Sequence, residues 1–267
     1  MENNVHQTHH WKNRGDHRTV KMHLLCEAPL SIRIQGKPYI VVMRTPGEEI
    51  PHAAGLCLAE GVVEAPDDFA TLATCEGEAD VVTATLKPPR DAMASALIHR
   101  PSYFSQTSGG ICGREIISGL LRDIPPLQDD TAIDISEALT RLDSLSSLQP
   151  LRQTTMAAHA AALFNTDFEL LSLAEDVGRH NAVDKAIGKL FLEGTLSRAA
   201  VMILSSRVSY ELVQKAGRAR TPIILSKSRP TSLAVSLGSE LNMTLVCTSK
   251  ETGILVFCGK HRLKGWS

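Results

Sequence analysis

The chain has 267 residues, with 28 Lys and Arg against 29 Asp and Glu, 43% hydrophobic residues and six cysteines. A net charge of −1 excludes a surface built throughout for nucleic-acid backbones, and apolar runs such as Ala199 to Leu204 fall far short of the roughly 18 residues a membrane helix needs. The polar, His-rich start from Met1 to His10 has no apolar leader segment, so the sequence predicts a cytoplasmic protein of one large or two modest domains, roughly 150 residues being a soft guide to domain size.

Residues 1–21 show no apolar periodicity and read as a flexible tail. From His23, Leu30, Ile32 and Ile34 alternate up to Gln35-Gly36-Lys37, and Pro38 to Met43 resumes the pattern, which predicts a hairpin. Thr45-Pro46-Gly47-Glu48-Glu49 leads into a helix with an acidic first turn that stops near Glu60-Gly61. A strand pair is predicted over residues 70–76 and 80–86, before Lys87-Pro88-Pro89-Arg90 breaks regular structure. A glycine-rich polar loop over residues 102–113 precedes a helix from Arg114 to Leu121, and Pro125 to Asp130 reads as a linker. The expected division is therefore a tail over 1–21, a smaller α/β domain over 22–124, and a second domain over 125–267.

The second domain opens with a predicted helix from Ile135 to Leu142. A further helix is expected over Thr154 to Leu163, then a strand from Phe168 to Ala174 and a helix from Ala182 to Leu192. Strands over residues 199–204, 223–226 and 244–248 alternate with helices over 210–219 and 231–241, and a hairpin strand over 254–257 closes the chain. Such alternation predicts a mostly parallel sheet covered on both faces. Ligands of such sheets sit beyond the C-terminal ends of the strands.

Three groups of residues could carry chemistry. Cys112 stands between Gly109-Gly110 and Gly113-Arg114. Glycines let the backbone approach a second molecule, and a helix start beside an arginine favours the thiolate; the plain alternative is a small hydrophobe in a glycine turn. The block from Glu175 to Lys185 gathers Asp176, Arg179, His180, Asn181 and Asp184 at a strand-to-helix crossing, where free helix N–H groups suit an anion; a solvated loop capped by Asn181 is the alternative. Ser205-Ser206-Arg207, Lys227 to Ser232 with Ser228 and Thr231, and Cys247-Thr248-Ser249-Lys250-Glu251-Thr252 each follow an apolar strand and offer hydroxyl and cationic donors suited to phosphate. No C-x-x-C pair, zinc-deaminase signature, dinucleotide fingerprint, Walker motif or serine-hydrolase elbow is present.

With these residues in view, the chain resembles the FdhD/NarQ family of formate dehydrogenase accessory sulfurtransferases. The matching pieces are Glu27-Ala28-Pro29-Leu30, Met43 to Glu49, Leu58-Ala59-Glu60-Gly61, Cys112-Gly113, His159 to Phe164, Glu175 to Lys185, Arg207 to Glu211 and Pro230 to Ala234. The resemblance implies a small N-terminal α/β domain joined to a cytidine-deaminase-like three-layer domain without zinc, usually as a homodimer. It also implies transfer of persulfide sulfur from a cysteine desulfurase to the molybdenum (or tungsten) bis-pterin guanine dinucleotide cofactor that formate dehydrogenase requires. Cys112 would be the carrier, and residues 247–252 would contact the pterin dinucleotide. Arg179, His180, Asn181, Asp184, Ser205, Arg207, Ser228 and Thr231 would line its guanine and phosphate pocket. No metal held by the protein itself, nucleic acid or membrane is implied. The family loop usually reads Ser-Cys-Gly-x-Cys-Gly, whereas this chain has Gly109 at the first cysteine position. A non-catalytic chaperone for the same cofactor is the alternative reading, and a nucleotide-binding regulator the third.

Overall fold

The computed structural model describes residues 4–13, 16–92, 124–249 and 253–265. Strands β1 (Asn4–Asn13) and β2 (Asp16–Leu24) pair antiparallel as a two-stranded ribbon, in place of the irregular tail the sequence predicted. Val20, Met22 and Leu24 alternate in β2, but β1 is polar and histidine-rich apart from Val5 and Trp11, so no matching apolar pattern announces the pair. Its order rests on backbone pairing and on cross-strand contacts such as Trp11 stacked on His17 at 5.9 Å.

The expected hairpins and helix follow. Strands β3 (Ala28–Ile34) and β4 (Lys37–Arg44) turn through Gln35 and Gly36, whose φ values of 52° and 73° suit the tight turn that matches strand twist. Helix α1 (Glu49–Ala59) leads to β5 (Phe69–Cys75) and β6 (Glu78–Leu86), and the four strands lie in the order β4-β3-β6-β5 with β3 and β6 parallel. Alternate residues Leu30, Ile32, Ile34, Val82 and Ala84 are fully buried. Arg44, itself 1% exposed, closes the β4 to α1 turn by pairing with Glu49 at 2.9 Å and Asp80 at 2.5 Å.

The second half begins with β7 (Ile133–Asp134) and α2 (Ile135–Ser144), which Asp134 caps by accepting from the N–H groups of Ser136 and Glu137. Helix α3 (Pro150–Thr155) ends at Met156, whose φ is 59°. Strands β8 (His159–Phe164) and β9 (Leu170–Asp176) come next, then α4 (Arg179–Leu192), β10 (Val201–Leu204), α5 (Tyr210–Arg218) and β11 (Ile223–Ser226). The chain continues through α6 (Ser232–Glu240), β12 (Thr244–Ser249), β13 (Gly253–Cys258) and β14 (Leu263–Lys264), which pairs with β7.

Two further expectations are corrected. Residues 159–164 form a strand, not the end of a helix over Thr154 to Leu163. Ala157-Ala158-His159-Ala160-Ala161-Ala162 has high helix propensity, but Ala160, Ala161 and Ala162 lie on an interior strand between β10 and β9 in a sheet covered on both faces, and tertiary packing wins. The six-stranded sheet, in the order β13-β12-β11-β10-β8-β9, is mixed and not mostly parallel: only β10–β11 and β11–β12 are parallel neighbours. Helices α4, α5 and α6 share an apolar core with one face through residues such as Leu163, Met202 and Ile224, while α2 packs on the other through Ile203, Ile223 and Leu225. The chain is thus an α/β fold with mixed sheets.

Helix α1 is shared by the two halves. One side covers the small sheet and the other lies against α4 so closely that a Cβ at Gly55 would meet the Asp184 carbonyl oxygen at 1.9 Å, and one at Gly188 the Pro51 carbonyl oxygen at 1.8 Å. Only glycine permits that approach. A single apolar core consequently runs from Ile34, Cys57 and Leu58 to Ala186 and Leu190.

Candidate functional site at the C-terminal edge of the large sheet

Strands β9, β10, β11 and β12 run in one direction, since β8 is antiparallel to both β9 and β10. Their C-terminal ends therefore meet at one edge, joined there by the first residue of β8. This brings the loops after Asp176, Leu204 and Ser226 together, as the sequence predicted for a ligand edge. Cys112, Lys250, Glu251 and Thr252 lie outside the described residues, as do the helix predicted over Arg114 to Leu121 and the side chain of Ser249, which ends β12.

The block from Glu175 to Lys185 divides into an inner and an outer set. Asp176 is fully buried; one carboxylate oxygen accepts from the Thr45 N–H (3.0 Å) and the Lys185 ammonium (2.6 Å), the other from the Gly178 N–H and the Asn181 amide (both 2.8 Å). Lys185 also donates to the Thr45 carbonyl at 2.7 Å, and Asn181 to the Met43 carbonyl at 2.8 Å. Thr45 Oγ1 accepts from the Val177 N–H at 3.0 Å. Asp184 is 2% exposed and points away from the edge, onto Lys215 at 2.7 and 2.9 Å. Asn181 and Asp184, expected to line a pocket, thus spend their polar atoms inside the fold.

The outer set faces the edge. Arg179 and His180 occupy the first turn of α4, whose N-cap residue Gly178 supplies no side-chain hydrogen bond. His180 Nε2 lies 2.7 Å from Glu211 Oε2 and 3.3 Å from Ser209 Oγ. The hydrogen bond from His180 holds Glu211 below the usual carboxylate range. Because Ser209 and Glu211 share the same ring nitrogen, this is not a nucleophile–base–orienter triad, which needs the two partners on opposite nitrogens. His159, at the start of β8, has its pKa lowered by burial and then by the nearby Arg179 charge. His159 Nδ1 and Arg179 Nε are both buried with no hydrogen-bond partner.

The remaining loops are fixed by their own hydroxyls. Ser205 Oγ accepts from the Ala160 N–H at 2.8 Å and ties β10 to β8. Ser226 Oγ donates to the Ser206 carbonyl at 2.5 Å and accepts from the Ser228 N–H at 3.0 Å. Thr231 caps α6 by accepting from the Ala234 N–H at 3.3 Å. Arg207 is exposed between these anchors, and Arg229 is exposed beside it in the next loop. Ser205 and Thr231 therefore shape the edge, while Arg179 and Arg207 supply cationic donors for an anion and His180 is held beside them by Glu211 and Ser209.

Among the described cysteines, burial pushes Cys57 up to about 12 and also raises Cys247 and Cys258. Cys247 is 1% exposed on β12, with half-buried Thr248 after it. Such thiols are poor nucleophiles at neutral pH. Among the described residues no three His, Cys, Asp or Glu side chains converge to hold a metal ion, and no helix is long and apolar enough to cross a membrane.

Sequence reasoning named neither Thr45, Ser209, Glu211 nor Lys185 as a site residue. The signal was present: Thr45 lies in Met43 to Glu49, and Ser209 and Glu211 lie in Arg207 to Glu211, both already matched as motifs.

Known proteins agree with this architecture. A structure from Desulfotalea psychrophila, of a protein assigned as a formate dehydrogenase accessory protein, superposes with a TM-score of 0.76, covering 98% of this chain and 99% of that one at 23% identity. The protein named sulfur carrier protein FdhD from Streptomyces avermitilis is 36% identical over 259 residues, covering 90% of this chain and 88% of the relative. Its namesake from Xanthomonas campestris pv. campestris is 34% identical over 253 residues, covering 93% and 88%. The FdhD/NarQ family model matches residues 25–264, and the chain belongs to that family.

Proposed function

We propose that this protein is a sulfur carrier in formate dehydrogenase maturation, taking persulfide sulfur from a cysteine desulfurase and passing it to the molybdenum bis-pterin guanine dinucleotide cofactor, its substrate. The observation that carries the reading is the similarity, along nine-tenths of the chain, to relatives named sulfur carrier proteins. The cationic edge built by Arg179 and Arg207, with His180 beside them, supports it, because a substrate with two pyrophosphate arms needs localised donors and not a uniformly basic surface.

Cys112 is the proposed carrier. Its thiolate attacks the outer sulfur of the donor persulfide, the donor thiolate leaves, and a Cys112 persulfide results. The S–S bond then breaks, the Cys112 thiolate leaves, and the terminal sulfur passes as sulfane sulfur to the substrate's reduced metal, which would supply the two electrons that make it a sulfido ligand. The raised pKa values of Cys57, Cys247 and Cys258 support this choice, since none of those thiols is readily ionised. In this reading residues 247–252 contact the pterin dinucleotide, Arg179, His180, Ser205, Arg207, Ser228 and Thr231 surround its guanine and phosphate groups while Asn181 and Asp184 hold the fold beneath them, and the second half is a cytidine-deaminase-like domain working as a cytoplasmic homodimer.

Gly109, standing where the family has a first cysteine, favours one second reading: a chaperone that binds the cofactor without carrying sulfur. Mass spectrometry after incubation with a desulfurase and cysteine separates the two. The carrier reading expects one added sulfur on the Cys112 peptide, no adduct in Cys112→Ala, and no activation of formate dehydrogenase by that variant. Full activation by Cys112→Ala would leave only the chaperone.

A further inference from the structure

We propose that a cavity at the opposite, N-terminal edge of the large sheet is a second ligand site, one that takes a phosphomonoester with a small planar or apolar body. The cavity measures about 600 Å³, within the roughly 300–1,000 Å³ range of small-molecule sites. It lies between the linker around residues 127–131, the β8–β9 turn, and the segments that enter β10 and β11. The polar loops of the family site lie at the other ends of β10 and β11, so the two sites are separated by the length of the sheet.

The chemistry of the lining selects the ligand. Leu127, Ala199 and Pro222 form a nearly buried apolar floor, and Arg198 and Arg220, both exposed, give the charge. The acid paired with Arg198 is Glu169, 3.8 Å away with both side chains more than half exposed; such a pair contributes little and leaves the guanidinium free to turn. Arg220 is fixed at the cavity by a 2.8 Å hydrogen bond from its Nη1 to the Pro125 carbonyl. Asp129 would oppose an anion, but it is already neutralised: it accepts from the fully buried Arg262 at 2.7 Å and from the Thr131 N–H at 3.0 Å. Two arginines therefore line the cavity, against a compensated Asp129 and a Glu169 held only loosely by Arg198, and two guanidinium groups are a donor set for a phosphate dianion.

The wall is also preformed. The Leu127 N–H donates to the Leu241 carbonyl at 3.0 Å and its carbonyl accepts from Asn242 at 2.9 Å, while Arg262 donates to the carbonyls of Asp129 and Thr131 at 2.8 and 3.1 Å. A linker stapled at the alternate carbonyls of Leu127, Asp129 and Thr131 does not need ordering when a ligand arrives, which lowers the entropy cost of binding. The inference stands apart from sulfur transfer and is unaffected if that reading fails.

The test is calorimetric titration of the full-length protein with AMP, ribose 5-phosphate and inorganic phosphate. AMP should bind, Arg198→Glu should weaken it about tenfold or more with an unchanged melting temperature, and Arg207→Ala at the other edge should leave this binding in place. Three results would overturn the proposal: no binding of AMP or ribose 5-phosphate, AMP binding indifferent to Arg198→Glu, or AMP binding lost in Arg207→Ala alone.

Discussion

The Lys185 ammonium sits 2.6 Å from the Asp176 carboxylate with both side chains essentially removed from water, and each of the two also bonds the backbone of Thr45 in the other half of the molecule. This pair joins the β4–α1 turn to the β9–α4 crossing directly beneath the cationic edge. Removing one partner leaves the other charge buried and uncompensated. Asp176→Asn is therefore expected to cost about 3–5 kcal/mol, read by urea denaturation. A loss below about 1 kcal/mol would show that water reaches Lys185 and that the pair is not a true interior bridge.

The α1–α4 crossing predicts a second effect. At Gly188 an added Cβ has no room short of a backbone carbonyl at 1.8 Å, so Gly188→Ala must drive the helices apart. Destabilisation of about 1–3 kcal/mol or more is expected, despite the better helix propensity of alanine. Unchanged stability by thermal denaturation would mean that the helices pack less closely than this.

His52 gives a pH signature. It is fully buried, neither ring nitrogen has a hydrogen-bond partner, and burial followed by the Lys185, Lys215 and Arg44 charges holds its pKa well below 6.5. The unfolded chain takes up a proton at this residue near pH 6.5 while the folded chain does not. Below that pH the unfolded state binds more protons, so stability falls with falling pH by up to about 1.4 kcal/mol per unit. His52→Leu should remove this component between about pH 7.5 and pH 5.5; identical slopes for wild type and variant would show that His52 is protonated in the fold.

Thiol reactivity checks the cysteine assignment. Cys57, pushed up to about 12, and the buried Cys247 should resist iodoacetamide at neutral pH in the native protein and react only after denaturation. Peptide mapping before and after unfolding reads this directly. Rapid native alkylation of Cys247 would make it a second candidate carrier beside Cys112.

Local patterns made much of the framework legible. Leu30, Ile32 and Ile34 alternate up to a Gln35-Gly36 turn, and the strands and helices from Leu170 onward differ from the predicted ones by a few residues at their ends. Strand β8 was not legible, because an alanine run reads as helix until a sheet needs small side chains between two layers. The ribbon over residues 4–24 was not legible either, since the alternation of Val20, Met22 and Leu24 in β2 has no apolar counterpart in β1 and neither strand has a buried face.

The sequence by itself determined the family, the order of most elements and the placing of the polar loops, because motifs, turns and side-chain periods are properties of neighbours along the chain. Only the tertiary structure decided which residues of the Glu175 to Lys185 block face a ligand and which hold the fold. Asp176 meets Thr45 across 131 residues of sequence, Asp184 turns inward to Lys215, and His180 turns outward to Ser209 and Glu211. Residues so close together part company because successive positions on a helix point in different directions, and what each one meets is set by packing with distant segments.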